Sequence, residues 1–105
     1  MNNSPVGAAK DAMLERVFNL MNAFDQNLVH TILKDIDTRL SQGILPVHNG
    51  HLEHLSEEGK VLEYLLFMKN QGLISGDLVT RGINSTPFRI TNIRLTYAGI
   101  KALRS

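Results

Sequence analysis

The stretch "LISGDLVTRGINSTPFRITNIRL", Leu73 to Leu95, decides how this chain is read. It is rich in β-branched residues and has a Gly/Asn/Ser/Pro cluster at its middle. That pattern predicts two antiparallel strands joined by a loop from about Gly82 to Pro87. In the second strand Phe88 and Ile90 share one face, and Ile93 and Leu95 share one too, but the count from Ile90 to Ile93 is odd. A β-bulge near Thr91–Asn92 would bring all four to the core side, because one extra residue resets a period of two.

Helical periods begin on either side of this hairpin. Upstream, Ser56 stands before "EEGKVLEYLLFMKNQG". A serine followed by two glutamates suits a helix start, since the hydroxyl accepts an orphan N–H and the carboxylates favour the positive end of the dipole. Val61, Leu62, Leu65, Leu66 and Met68 or Lys69 form the periodic face. Gly59 weakens this helix by up to about 1 kcal/mol against alanine. Gly72 ends it in a left-handed cap, with Leu73 making the contact beyond. Downstream, Thr96 caps a short helix, "YAGIKALRS", with Tyr97, Ile100 and Leu103 or Ala102 inward.

Further upstream, "ILPVHNG" from Ile44 to Gly50 suggests a short extended piece. Pro46 makes it an edge strand or none, and Asn49-Gly50 is a turn dipeptide. Before it a helix reads from Gln26 to Leu40, with Leu28, Val29, Ile32, Leu33, Ile36 and Leu40 on one face. Asp25 or Asn22 caps its start, and Gly43 stops it. A first helix spans Ala8 to Phe24, striped by Met13, Leu14, Val17, Phe18 and Met21. Residues 1–7 read as a flexible tail and 8–105 as one domain.

Composition narrows the function classes. Apolar residues make up 43% and charged residues 20% of the 105, an ordinary globular balance. With no cysteine there is no disulfide framework, thiolate metal site or cysteine nucleophile. The start, "MNNSPVGAAKDAML", lacks a basic segment followed by an apolar run, so a secretory leader is not expected. No apolar run approaches the roughly 20 residues that span a bilayer. A cytoplasmic protein without membrane contact is expected. Net charge is +1 but unevenly placed: residues 1–55 sum to −2, while from Leu78 onward there are Arg81, Arg89, Arg94, Lys101 and Arg104 and no acid. A one-sign segment is a candidate surface for an anion such as a nucleic-acid backbone, unless acids fold alongside it.

The order helix, short extended piece, helix ending in "NQGLI", hairpin, then "LTYAGIKAL" is similar to that of a winged helix. Ser56-Glu57-Glu58, Gly72-Leu73-Ile74 and Leu95-Thr96-Tyr97-Ala98-Gly99, together with "FDQNLVHTILKDI", resemble a family of small phage-associated winged-helix domains of unknown function. More loosely the chain resembles PadR-type and ArsR-type regulators, whose third helix runs into a Gly-Leu-Ile segment and a wing. The resemblance covers about Phe24 to Ser105 and leaves the first helix outside. It implies an α+β fold, a helix-turn-helix-like winged helix with a two-stranded β-wing and here an additional N-terminal helix, in a phage or mobile-element context. It implies no known activity. Where the family usually carries histidines, within the third helix and after the last glycine, this chain has residues around Tyr64 and Ile100, so no role of those histidines transfers.

Two functions follow as expectations. One is a dimeric DNA-binding transcription regulator. Its third helix offers Glu57, Glu58, Lys60, Glu63, Tyr64, Lys69 and Asn70, which is too acidic a face for a groove walled by phosphates. "LEHLS" leaves room for only one turn where the usual second helix would stand. The wing is the better candidate: Arg81, Asn84, Ser85, Thr86, Arg89 and Arg94, with Lys60, form the expected nucleic-acid-binding set. Met13, Leu14, Val17, Phe18 and Met21 form the expected homodimer interface, or else pack on their own domain. The other function is an interaction module that binds and modulates a host or phage protein. Catalysis is not expected. There is no phosphate-binding glycine loop and no nucleophile elbow, and Asp35 and Asp37 point to different sides of their helix. The six aromatics mostly hold core positions, which leaves no base-stacking platform. "VHNGHLEHL" gathers His48, His51 and His54 near Glu53, chemically adequate for zinc, but the spacing matches no structural zinc pattern. A solvated connector is expected there, with no metal and no cofactor.

Overall fold

A computed structural model describes residues 24–83 and 85–105. The expected tail and the first helix, apart from Phe24, lie outside the described residues. The described chain is α+β, with three helices and a two-stranded antiparallel sheet. Helix α1 spans Gln26–Ser41, and two 3-10 turns follow at Asn49–His51 and Glu53–Leu55. Helix α2 spans Val61–Asn70, strands β1 and β2 span Ile74–Val79 and Arg89–Leu95, and helix α3 spans Tyr97–Arg104.

Helix α1 follows its spacing. Asp25 caps it by accepting the Asn27 N–H at 2.8 Å, and Val29, Ile32, Leu33 and Ile36 are buried, three and four residues apart. Gly43, at φ +78°, lets the Gly43 and Ile44 amides reach back to the Leu40 and Arg39 carbonyls. Gly72, at φ +76°, closes α2 in the same way, with its own amide on Lys69 and that of Leu73 on Met68.

The start and phase of α2 differ from expectation. The helix begins at Val61, not at Ser56. Gly59 adopts φ +69°, so the chain turns there, and the Ser56 hydroxyl accepts the Lys60 N–H at 3.3 Å ahead of the helix. The buried positions are Val61, Tyr64, Leu65 and Met68, so Tyr64 is not on the exposed face. Its hydroxyl accepts the Asp25 N–H at 2.8 Å, which lets an amphipathic side chain go inside. Phe24 meets the Tyr64 ring edge-on at 5.0 Å and stacks on Phe67 at 4.0 Å.

The hairpin carries the expected bulge. Ser75 pairs with Arg94 but Asp77 with Thr91, so β2 has one residue more than β1 across that interval. Asn92 takes φ +55° there, and both Ile90 and Ile93 end fully buried. Phe88 does not join them: it is 44% exposed. Segment 44–48 forms no strand. It instead lines the free edge of β2, where the Val47 carbonyl accepts the Ile93 N–H and the Asn49 side-chain oxygen accepts the Ile90 N–H. Asn49 is buried and donates its amide to Glu53.

Helix α3 is seated on the end of α2. The Thr96 N–H donates to the Leu73 carbonyl, its hydroxyl donates to the Gly72 carbonyl, and the same hydroxyl accepts the Gly99 N–H. Gly99 is buried directly against the Leu73 carbonyl. The pieces Gly72-Leu73-Ile74 and Leu95-Thr96-Tyr97-Ala98-Gly99, far apart in sequence, are therefore two halves of one contact. This seating turns the helix from its expected phase. Gly99, Ala102 and Leu103 face inward, while Tyr97 is 81% and Ile100 37% exposed. His30 ties α1 to the end of α3 through the Leu103 carbonyl at 3.1 Å.

Candidate nucleic-acid interface

Pairing fixes which hairpin residues share a face. Leu78 opposite Ile90 and Ile74 opposite Leu95 lie on the inner face, and Ser75, Asp77 and Val79 alternate to the outer one. Arg94 opposes Ser75 and Arg89 opposes Val79, so both arginines belong to the outer face. Their partners are four residue steps apart on β1, about 14 Å at 3.4 Å per step, too far to share one phosphate. Asp77 lies between them and accepts from the Asn92 amide at 3.5 Å. Arg81 is exposed at the distal end, its guanidinium 4.9 Å from the centre of the Phe88 ring. Ser85 and Thr86 are exposed beside it, and the Ser85 N–H donates to the Gly82 carbonyl, closing the turn. Asn84 lies outside the described residues, as do Met13, Leu14, Val17, Phe18 and Met21.

Lys60 stands apart from this set. Its ammonium is 2.9 Å from the Glu58 carboxylate, and it lines a hollow with Asp25, Glu57, Glu58 and Glu63. Their mutual hydrogen bond holds Glu58 below and Lys60 above its ordinary pKa. The charged contacts among the described residues are Arg39–Asp35 and Lys60–Glu58, with the His54 ring 3.9 Å from the Asp35 carboxylate. All lie before the hairpin. Arg81, Arg89, Arg94, Lys101 and Arg104 form no ion pair with an acid among the described residues, and Asp77, the one carboxylate on the hairpin, accepts from Asn92 instead.

The histidine stretch divides into two parts. His54 sits 3.9 Å from Asp35, while the His48 and His51 rings lie 3.8 Å apart between centres with their planes tilted by 31°. The His48 Nδ1 accepts the Gly50 N–H at 3.0 Å, and the His51 Nδ1 accepts the His48 N–H at 3.1 Å. Both Nδ1 lone pairs are thus committed to backbone donors, which places the ring proton of each neutral imidazole on Nε2. An Arg89 nitrogen lies 3.4 Å from the His48 Nδ1. Burial, then the nearness of His51 and Arg89, holds His48 below its ordinary pKa of 6.5, with Glu53 pulling weakly the other way. Among the described residues no three His, Asp or Glu side chains converge as a metal site would need.

Sequence reasoning missed the exposed apolar residues. Phe88 and Tyr97 were expected inside, and Leu78 and Ile83 carried no expectation. Tyr97, Ile100, Lys101 and Arg104 surround a shallow hollow of about 340 Å³ on α3. The available signal was Gly99 at three and four residues from Ala102 and Leu103, a small-residue face suited to close approach. Among the described residues no helix is long and apolar enough to cross a membrane. No protein-family model, curated protein or solved structure matches this chain.

Proposed function

We propose that the chain is a small winged-helix protein that binds duplex nucleic acid through its hairpin, as a phage or mobile-element transcription regulator would. On this reading the hairpin is the wing, and the 3-10 turns from Asn49 to Leu55 stand where a longer second helix would lie. The observation that carries it is the run of five cations from Arg81 to Arg104, none with an acidic partner among the described residues. Helix α2 is a poor groove reader, with Glu63 in its first turn and Glu57 and Glu58 just before it. The contact is therefore led by phosphates and depends weakly on sequence. A homodimer through Met13, Leu14, Val17, Phe18 and Met21 belongs to the same reading, and sedimentation showing a strict monomer at tens of micromolar would remove that part.

Fluorescence anisotropy with a random duplex tests the main claim. Three arginine–phosphate contacts give a salt slope near −2.7, about a 40-fold loss of affinity between about 50 and 200 mM salt. Arg81→Ala with Arg89→Ala should leave a slope near −0.9, that of about one contact. Absence of binding at about 50 mM salt would sink the reading.

A second reading is favoured by α3. Tyr97 is 81% exposed and stands with Ile100 between Lys101 and Arg104, a composition common at protein contact hot spots. An interaction module would bind a host or phage protein there, and Tyr97→Ala would abolish capture of that partner without touching the salt-dependent binding of DNA.

A further inference from the structure

The hairpin is longer than the core its inner face covers. Ile90 is fully buried, yet its ladder partner Leu78 is 45% exposed. Phe88, next along the same face, is 44% exposed, and Ile83 in the closing turn is completely exposed. Three large apolar side chains therefore run out from the body to the tip. Single exposed apolar residues are ordinary, but a run of them at one end of a hairpin is a contact surface. Arg81 lies against Phe88, and no carboxylate occurs from Leu78 to the end of the chain.

An apolar ridge edged by cations fits a narrow cleft with anionic walls and an uncharged floor. The minor groove of duplex DNA has that chemistry, with phosphates along both walls and sugars and base edges between. A two-stranded tip about 5 Å across its backbone approaches the groove width of about 6 Å, so full seating must widen the groove.

We propose that the distal end of the hairpin enters the minor groove and that Ile83 wedges into a base step and bends the duplex. Leu78 and Phe88 lie against the sugar walls, and Arg81 meets a phosphate. This rests on the nucleic-acid reading above and goes beyond it. Unstacking is easiest at pyrimidine–purine steps, so a wedge gives sequence preference with no base hydrogen bond.

Duplexes of about 30 base pairs, labelled at both ends for energy transfer, carry either a central TA step or a G·C run. The wild-type chain should raise transfer on the TA duplex and bind it about tenfold tighter than the G·C duplex, the scale of one base-pair discrimination. Ile83→Ala should bind both equally and leave them straight. Ile83 is completely exposed, so its truncation leaves the fold intact. Wild-type binding without bending, or bending retained by Ile83→Ala, overturns the wedge and leaves the nucleic-acid reading standing. Failure to bind either duplex, with tight binding to phosphatidylserine vesicles, overturns both and assigns the apolar tip to an anionic lipid surface.

Discussion

Replacing Gly99 by alanine should destabilise the protein, although alanine is the better helix former. A methyl group at Gly99 would stand 2.0 Å from the Leu73 carbonyl oxygen and 3.1 Å from its carbon. Carbon–oxygen contacts settle near 3.3–3.6 Å, so α3 must retreat by more than about 1 Å. The obstructing atom is backbone at the capped end of α2 and cannot swing aside. Overpacking of this kind costs about 1–3 kcal/mol. The retreat also stretches the Thr96 bonds to Leu73 and Gly72, each contributing about 1 kcal/mol. Against this stands a helix-propensity gain of about 0.8–1.0 kcal/mol. The net loss is about 2–4 kcal/mol, or about 8–32 °C in Tm for a domain of this size. Urea unfolding followed by circular dichroism measures it. Gly43→Ala is the comparison: nothing lies within 4 Å of its added carbon, so only the left-handed backbone cost of about 1–2 kcal/mol applies. If Gly99→Ala proves as stable as wild type, propensity has won and α3 is not seated on Leu73.

Stability should also depend on pH through His48. Its folded pKa lies below 6.5, so the unfolded chain binds more protons between the two values. This contribution is fully present above about 6.5 and is lost as pH falls through the folded value, because the protonated ring would be partly desolvated and would stand beside His51 and Arg89. Urea midpoints measured across this range should fall on acidification, and His48→Asn, which keeps a cap acceptor without titrating, should flatten the trend; an unchanged slope refutes the assignment. Asn49→Ala should cost about 1–3 kcal/mol by leaving the buried Ile90 N–H without an acceptor. Equilibrium unfolding and faster hydrogen exchange at Ile90 report it, and a change below about 0.5 kcal/mol would show that water replaces the side chain.

What the sequence made legible was local. The α1 stripe, the glycine caps and the bulge all follow from spacing within a few residues. Tyr64 shows where that stops. The phase of α2 depends on a hydroxyl reaching the Asp25 amide 39 residues away, which no window contains. The outward turn of Tyr97 and Ile100 likewise depends on Gly99 meeting Leu73 across the hairpin. Ser56 satisfied the rules for a helix start, but Gly59 took the left-handed conformation and delayed the helix. The basic segment was visible from composition. Its lack of acidic partners was not, because ion pairing is settled by which surfaces meet.

The lock between Thr96 and the Gly72–Leu73 corner, with the bonds from β2 to Val47 and Asn49, holds the base of the hairpin to the body. Everything beyond the Leu78–Ile90 pair is then an outgrowth whose ends are held whatever its content. Lengthening such a loop costs little, since closure entropy grows only with the logarithm of length. Body and outgrowth can diverge at different rates: related chains would keep the corner and exchange the tip, acquiring new targets without refolding. The same corner makes the tip a place to splice in a foreign peptide, with the helices beneath serving as a fixed mount.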